Sequence, residues 1–367
     1  MSAEPAPVGL AHDYLLILRG AERTFAALAD CWPNAPIYTT LYSERGTAGR
    51  FKGRRITTSY LQRLPVRQGR FRMLLPLYPR ATERLPVTGH PLVVSSSSAF
   101  AQGVRPDPGA IHVCYMHTPF RYAWDERETA LGEVRRPLRP LLARSLDRIR
   151  EWDREAASRV THYIANSRAT QERIQRFYGR AARVVHPPVE VGRFAIGEAG
   201  ESFLIVTELI PHKRVHIALE AARLAGRHVD VVGGGPELPR LRARFGDVAS
   251  FHGRVDDATL ARMYARARAL LVPNAEEFGI AAVESQAAGR PVLGLGRGGL
   301  LETVEDGRTG VLLDRGSVRE FAEAMSKVDF DRFDAAAIAA HARRFSVERF
   351  RDELKLEVER LVGGPTP

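Results

Sequence analysis

Cysteine is nearly absent from this 367-residue chain: only Cys31 and Cys114 occur, without the spacing of a metal site or a disulfide framework. Two free thiols in a reducing cytoplasm are therefore expected. Long apolar runs are missing too. No stretch approaches 18 consecutive apolar residues, which excludes a membrane-spanning helix. The opening MSAEPAPVGL has neither a basic leader nor an apolar core, so no secretory signal is expected. Internal repeats are lacking, and the SSSS at 95–98 reads as a strand end of loop-like composition. Lysine is scarce: only four of the 54 basic residues are lysines. Metal-ligand spacing is lacking as well. The one D-x-D, Asp329–Asp331, reads as solvated charge, and no metal is expected.

What is present is an ordinary globular composition, 44% apolar and 26% charged. At about 150 residues per domain the length suggests two domains. The net charge of +11 is unevenly placed. Residues 1–185 hold 29 basic and 16 acidic side chains, and the remainder 25 and 27. Residues 45–84 alone carry eleven basic residues against one acid, Glu83. Such a patch suits a polyanion or an anionic surface.

In the second half, short β-rich runs alternate with segments of helical period. Strands are expected at 203–207, 228–232, 249–252, 269–272 and 291–295, each followed by a helix. Candidate strands of the first half are 8–12, 36–40, 92–96, 111–116 and 161–165, with helices at 21–31, 141–159 and 167–178. This alternation implies an α/β chain of βαβ units and parallel sheets. Two doubly wound, Rossmann-like domains are expected at 1–185 and 201–346, facing each other across a cleft. A Pro- and Gly-rich linker would span 186–200, and a last helix, 347–362, would pack back toward the first domain. Ligands in such folds sit outside the carboxyl ends of the strands.

The densest chemical signal is PNAEEFGIAAVESQAAG at 273–289. A strand ends, a polar loop follows, and a helix begins near Gly279. The N–H groups of Gly279, Ile280 and Ala281 are the first unpaired donors of that helix, suited to sugar hydroxyls or phosphate oxygens. Glu276 precedes the helix and Glu284 lies on it. Their bare spacing is weak; the surrounding strand, Phe-Gly-Ile turn and run of small residues make it specific.

Here the chain resembles the retaining, nucleotide-sugar-dependent glycosyltransferases of family 4, which have the GT-B fold. Glu276, Phe278, Gly279, Ile280, Glu284, Ala287, Gly289, Pro291 and Val292 match that family's C-terminal signature. Ala282 and Ser285 depart from it, replacing the usual proline and alanine. The segments LAHDYL, HTPFRYAWD, HPPVEVGRF and LIPHKRVHIALEA look like bacterial mannosyltransferases of O-antigen and exopolysaccharide pathways. The resemblance implies that Glu276 meets the hydroxyls of the transferred sugar, that Glu284 meets the ribose, and that Phe278 lies in the donor site. It implies a nucleotide-sugar donor and no further cofactor. GDP-mannose leads by resemblance alone, with other GDP- or UDP-sugars open.

Loss of a nucleoside diphosphate leaves charge to be met by cations and N–H groups. Lys213 is the cation candidate, although an ordinary lysine at a helix start would look the same. The family's usual arginine in this loop is replaced by Glu208, with Arg214 following Lys213. The turn Gly233–Gly235 would line the nucleotide side through Gly235, as would Val255 and Asp257 near the base. Gly20 in RGAERTF would approach the diphosphate, with Arg19 where the family has a second glycine. His117, at the end of strand 111–116, is the N-terminal catalytic candidate, to hold a sugar hydroxyl or sit beside the attacking oxygen. Arg121, Tyr122, Trp124 and Asp125 follow as acceptor contacts or as core. Asn166 and Ser167 read as a strand end and a helix cap.

The reading that results is metal-independent hexosyl transfer with retention to a glycan or lipid-linked acceptor. The patch at 45–84 would dock an anionic membrane on the inner face of the plasma membrane, or is equally a solvated basic face. A basic nucleic-acid-binding protein fits the charge but leaves the glutamate signature unexplained, so no nucleic-acid partner is expected. A nucleotide-sugar epimerase or a sugar phosphorylase of the same fold would fit the glutamate signature too, and both stay open at this point.

Overall fold

The computed structural model describes residues 8–64, 71–132 and 134–363. Within the basic patch, Arg67 and Arg70 lie outside the described residues, and nothing is described of the Arg72 side chain. Two compact units emerge. One comprises the chain up to His186 together with the segment from Arg351 onward; the other is Pro187–Phe350.

The first unit is built on seven parallel strands: β1 (Val8–His12), β2 (Ile37–Thr39), β3 (Ile56–Thr58), β4 (Leu92–Ser97), β5 (Ile111–Met116), β6 (His162–Ala165) and β7 (Ala182–Val184). Their spatial order is β3-β2-β1-β4-β5-β6-β7. The second unit holds six parallel strands: β8 (Phe203–Val206), β9 (Val229–Val232), β10 (Ala249–Gly253), β11 (Leu270–Val272), β12 (Val292–Leu295) and β13 (Gly310–Leu313). They run in the order β10-β9-β8-β11-β12-β13. Each sheet reverses its winding once, at β1/β4 and at β8/β11. Loops leaving the carboxyl ends of those strand pairs diverge there and leave a crevice in which ligands bind.

Helices cover both faces, so the strands read as apolar runs. In the second unit, Phe203, Leu219, Phe245 and Phe321 are completely buried on one side, and Tyr264, Val283, Val292 and Leu300 on the other. Each such side chain contributes about 1.5–3 kcal/mol of burial. The strand β4 breaks the pattern. Ser95, Ser96 and Ser97 are fully buried members of the strand, not a loop-like end, because polar side chains of β1 and β5 pair with them.

The 187–200 segment, rich in Pro and Gly, is packed within the second unit. Val189 N–H donates to Phe345 O, and Gly200 N–H donates to Arg266 O. The helix Val347–Gly363 begins in the second unit and runs into the first. There Arg351 pairs with Asp30, and Leu354 and Val358 are buried.

Candidate active site

In the second unit the crevice residues come from the loops after β8 and β11. After β8 the chain makes a short turn, Pro211–Lys213, and Arg214 follows with φ of 51°. A left-handed conformation costs a non-glycine residue about 1–2 kcal/mol. That strain sits directly beside Lys213. The Lys213 Nζ donates to both carboxylate oxygens of Glu276 at 2.7 Å, and Asn274 Nδ2 donates to Glu276 Oε1 at 3.0 Å. Two residues proposed for catalysis from the sequence are thus in contact.

Glu276 is held from behind by the Gly298-Gly299 turn. Gly299 N–H donates to Glu276 O at 2.7 Å, and a Cβ on Gly298 would come within 2.4 Å of the same oxygen. The helix Ile280–Ala287 starts at Gly279, whose φ of 96° favours glycine and which brings no side-chain cap. Its first N–H groups, including those of Ile280 and Ala281, therefore open at the same end as the Lys213–Glu276 pair. Phe278 precedes Gly279 at this turn. Its side chain is buried edge-on to Phe345, with ring centroids 5.4 Å apart, so it stabilises the turn from the core.

Glu284 accepts from the Tyr264 hydroxyl at 2.9 Å. Burial and that carboxylate hold the Tyr264 phenol well above its ordinary range, so it stays a donor. Asp257 is ion-paired with Arg193 at 3.0 Å, and Phe194 lies edge-on to Tyr264. Arg193 was missed from the sequence; its only signal was its place in HPPVEVGRF. Val255 packs half-buried against the core. The Gly233–Gly235 turn is tied to the loop after β8, with Leu209 N–H donating to Gly234 O at 3.0 Å. Gly235 lies against Leu209, so this turn and the Lys213 loop share one end of the sheet.

The first unit gathers its polar groups at the carboxyl ends of β1, β4 and β5. His117 Nε2 lies 2.9 Å from Ser96 Oγ, and His12 Nδ1 lies 3.2 Å from that same oxygen and 3.0 Å from Ser96 O. Burial first, then the neighbouring His12, push His117 down to about 3, so its ring is neutral. Burial lowers His12 as well. Asp13, fully buried, accepts N–H bonds from Ser98, Phe100 and Ala101 at 2.6–2.7 Å. Gly20 opens the helix Gly20–Asp30, whose Glu22 accepts from Arg19 N–H at 3.1 Å. Burial pushes the Glu22 carboxyl up to about 7. His12, Asp13, Ser96 and Glu22 were not singled out from the sequence, because a lone His-Asp pair and a serine run carry no recognisable spacing.

Of the aromatic segment after His117, Trp124 stacks on Phe177 and donates to the buried Asp153 at 2.7 Å, which makes it core. Asp125 pairs with Arg173. Ser167 caps the helix Arg168–Tyr178. In the basic patch, Arg54 donates to the carbonyls of Ala29, Trp32 and Ala35, and Arg50 pairs with Asp30. Both are structural, whereas Arg45, Arg55, Arg63, Arg80 and Arg84 are exposed. Among the described residues no cluster of three His, Cys, Asp or Glu side chains is arranged to hold a metal, and no helix is long and apolar enough to cross a membrane.

Comparison with known proteins follows the same division. Residues 18–193 match the family model "Glycosyltransferase Family 4", and residues 200–328 match "Glycosyl transferases group 1". A D-inositol 3-phosphate glycosyltransferase of Geodermatophilus obscurus is 32% identical over 300 residues, 73% of this chain and 59% of the relative. The chain spans only 50–59% of the length of such relatives. Among solved structures, the Anabaena protein HepE in complex with UDP and glucose aligns with a TM-score of 0.68 at 18% identity, over 96% of this chain and 99% of that one. The sucrose-phosphate synthase of Thermosynechococcus elongatus aligns at 0.69 with 15% identity, over 97% and 99%. The fold is GT-B.

Proposed function

On the premise that these two matched halves make a family 4-type chain of GT-B fold, we propose that the protein moves a hexose from a nucleotide sugar to a glycan or lipid-linked acceptor, without metal and with retention. The observation that carries this reading is the Lys213–Glu276 pair beside the uncapped start of helix Ile280–Ala287, at the winding reversal of the second sheet. A diphosphate there is met by the Lys213 ammonium and by the N–H groups of Gly279, Ile280 and Ala281. Glu276, released from Lys213, accepts from the sugar hydroxyls, and Glu284 accepts from the ribose. Gly235, Val255 and Asp257 complete the second unit's share of the donor site in this reading.

The acceptor oxygen forms its bond to the anomeric carbon as the carbon–phosphate oxygen bond breaks. Front-face attack lets the departing phosphate oxygen take the acceptor's proton, so no carboxylate nucleophile is required. GDP-mannose is the proposed donor, on the likeness to bacterial mannosyltransferases. UDP-glucose is its competitor.

Exposed Arg63, Arg80 and Arg84 beside the exposed Leu64 and Leu77 support docking on an anionic membrane that carries the acceptor. A second acceptor reading is a phosphorylated polyol. It is favoured by the names of the curated relatives and by a polar pocket of about 400 Å³ whose lining includes Tyr42, Glu44, Lys52, Thr58 and Gln62.

A thermal-shift panel of GDP, UDP, ADP and their sugars tests the donor. A ligand at 100 times its Kd adds about 2.7 kcal/mol of stability. GDP and GDP-mannose are expected to give the largest shifts, and silence from the whole panel would overturn the reading.

A further inference from the structure

The buried chain from His12 through Ser96 to His117 determines which nitrogen of His117 carries its proton. The His12 Nδ1 lies 3.0 Å from the carbonyl oxygen of Ser96. A carbonyl only accepts, so Nδ1 of His12 is the protonated nitrogen. Ser96 Oγ, 3.2 Å from the same Nδ1, therefore faces an N–H on that side and must place its own hydrogen elsewhere. Its other neighbour is His117 Nε2 at 2.9 Å. The hydroxyl donates there, and Nε2 carries no proton.

The His117 ring is also fixed in place. The backbone N–H of His117 donates to Ser97 O at 2.8 Å, its backbone carbonyl accepts from Thr170 Oγ1 at 2.9 Å, and the ring lies edge-on to Tyr115. Burial keeps the ring neutral, so a single hydrogen remains, on Nδ1.

We propose that His117 is held as the neutral Nδ1–H tautomer by Ser96 and His12, and that it meets an accepting oxygen of the sugar donor or acceptor as a hydrogen-bond donor, not as a base. The tautomer follows from the hydrogen-bond geometry alone; what Nδ1–H meets rests on the transferase reading. Ser96 and His12 are then positioning residues. No proton passes to His117 in this scheme, in keeping with a departing phosphate that takes the acceptor's proton.

The test is a two-bond ¹⁵N–¹H correlation spectrum of the full chain labelled in histidine, with the His117 signals assigned by their loss in His117→Asn. A protonated Nδ1 and a bare Nε2 are expected between pH 5.5 and 8; an Nε2–H form in the wild type overturns the proposal. Ser96→Ala should give mixed tautomers and lower kcat/KM about tenfold, the equivalent of one buried hydrogen bond. Ser95→Ala is the control. It removes the Ser95–His112 bond of 2.7 Å on the other face of the same strand and should leave the His117 signals and the rate unchanged.

His12→Asn, which keeps an N–H donor, should retain the tautomer where His12→Leu loses it. An unchanged His117 spectrum in both Ser96→Ala and His12→Leu removes the positioning role. If the wild type turns over no nucleotide sugar, the transferase reading falls while the spectrum still decides the tautomer.

Discussion

At the winding reversal of the second sheet, Lys213 and Glu276 meet at 2.7 Å with 19% and 22% of their side chains still exposed. At that of the first sheet, His12, Ser96 and His117 meet as neutral groups with 2%, 0% and 8% exposure. Topology places both sets, but their chemistry is opposite. A partly exposed ion pair can trade one partner for a ligand's charge without stranding the other in a dry interior. A buried neutral chain has nothing to trade, and its value lies in the direction it gives to one N–H. One region is built to exchange partners, the other to aim.

The sharpest way to break that contrast is Lys213→Ala. Transfer is expected to fall by about 10³-fold, as when a charge-stabilising donor is removed, and the thermal shift from nucleoside diphosphate should vanish. Stability should change by less than about 1 kcal/mol, since the pair keeps part of its solvent. A wild-type rate in this variant would end the exchange argument.

Next in size is Asp13→Ala, which strands the buried N–H groups of Ser98, Phe100 and Ala101. Urea unfolding should show a loss of about 3–5 kcal/mol. That is the reverse of the Lys213 pattern, with large damage to the fold.

Glu22→Gln should sharpen the contrast through pH. The folded carboxyl keeps its proton up to about pH 7, while the unfolded chain releases it near 4.5. Below 4.5 both states are protonated and the site costs nothing; stability is lost as pH rises from there to 7 and stays lost above it. The Gln variant escapes this loss. Its Tm advantage should grow over that window and level off beyond it, corresponding to at most about 3 kcal/mol.

The smallest effect per residue concerns the patch. Neutralising Arg63, Arg80 and Arg84 should weaken sedimentation with anionic vesicles by about 1 kcal/mol per charge at low salt. Arg54→Gln should leave vesicle binding intact and lower Tm, because its guanidinium closes the carbonyls behind helix Gly20–Asp30.

The same contrast explains what could be read from the sequence. Glu276, Gly279 and Glu284 stood out because a strand end, a Phe-Gly-Ile turn and a run of small residues frame them as a helix start, which their spacing alone would not have done. The longer strands, such as 8–12 and 111–116, showed as apolar runs. Strands β3, β7 and β13, of three or four residues, fell below any periodic signal, as did the alanine-rich helix Ala335–Ala342; helix Val318–Lys327 was overlooked although Ser317 and Glu320 form a capping box at its start. The His12–Ser96–His117 chain was hidden for another reason. Serine is a poor strand former by propensity, and only the partners that β1 and β5 bring beside it make Ser95–Ser97 a buried strand. Such pairings span 84 and 21 residues of sequence, where local patterns carry no information.

The helix Val347–Gly363 sets an order of events during synthesis. Arg351, which pairs with Asp30, and the buried Leu354 and Val358 belong to the first unit, yet the whole second unit separates them from His186. A ribosome adding about 5–20 residues per second delivers them roughly ten to thirty seconds after the rest of that unit. Through that interval the nascent first unit lacks Arg351, Leu354 and Val358, and the second unit is synthesised before its predecessor is complete.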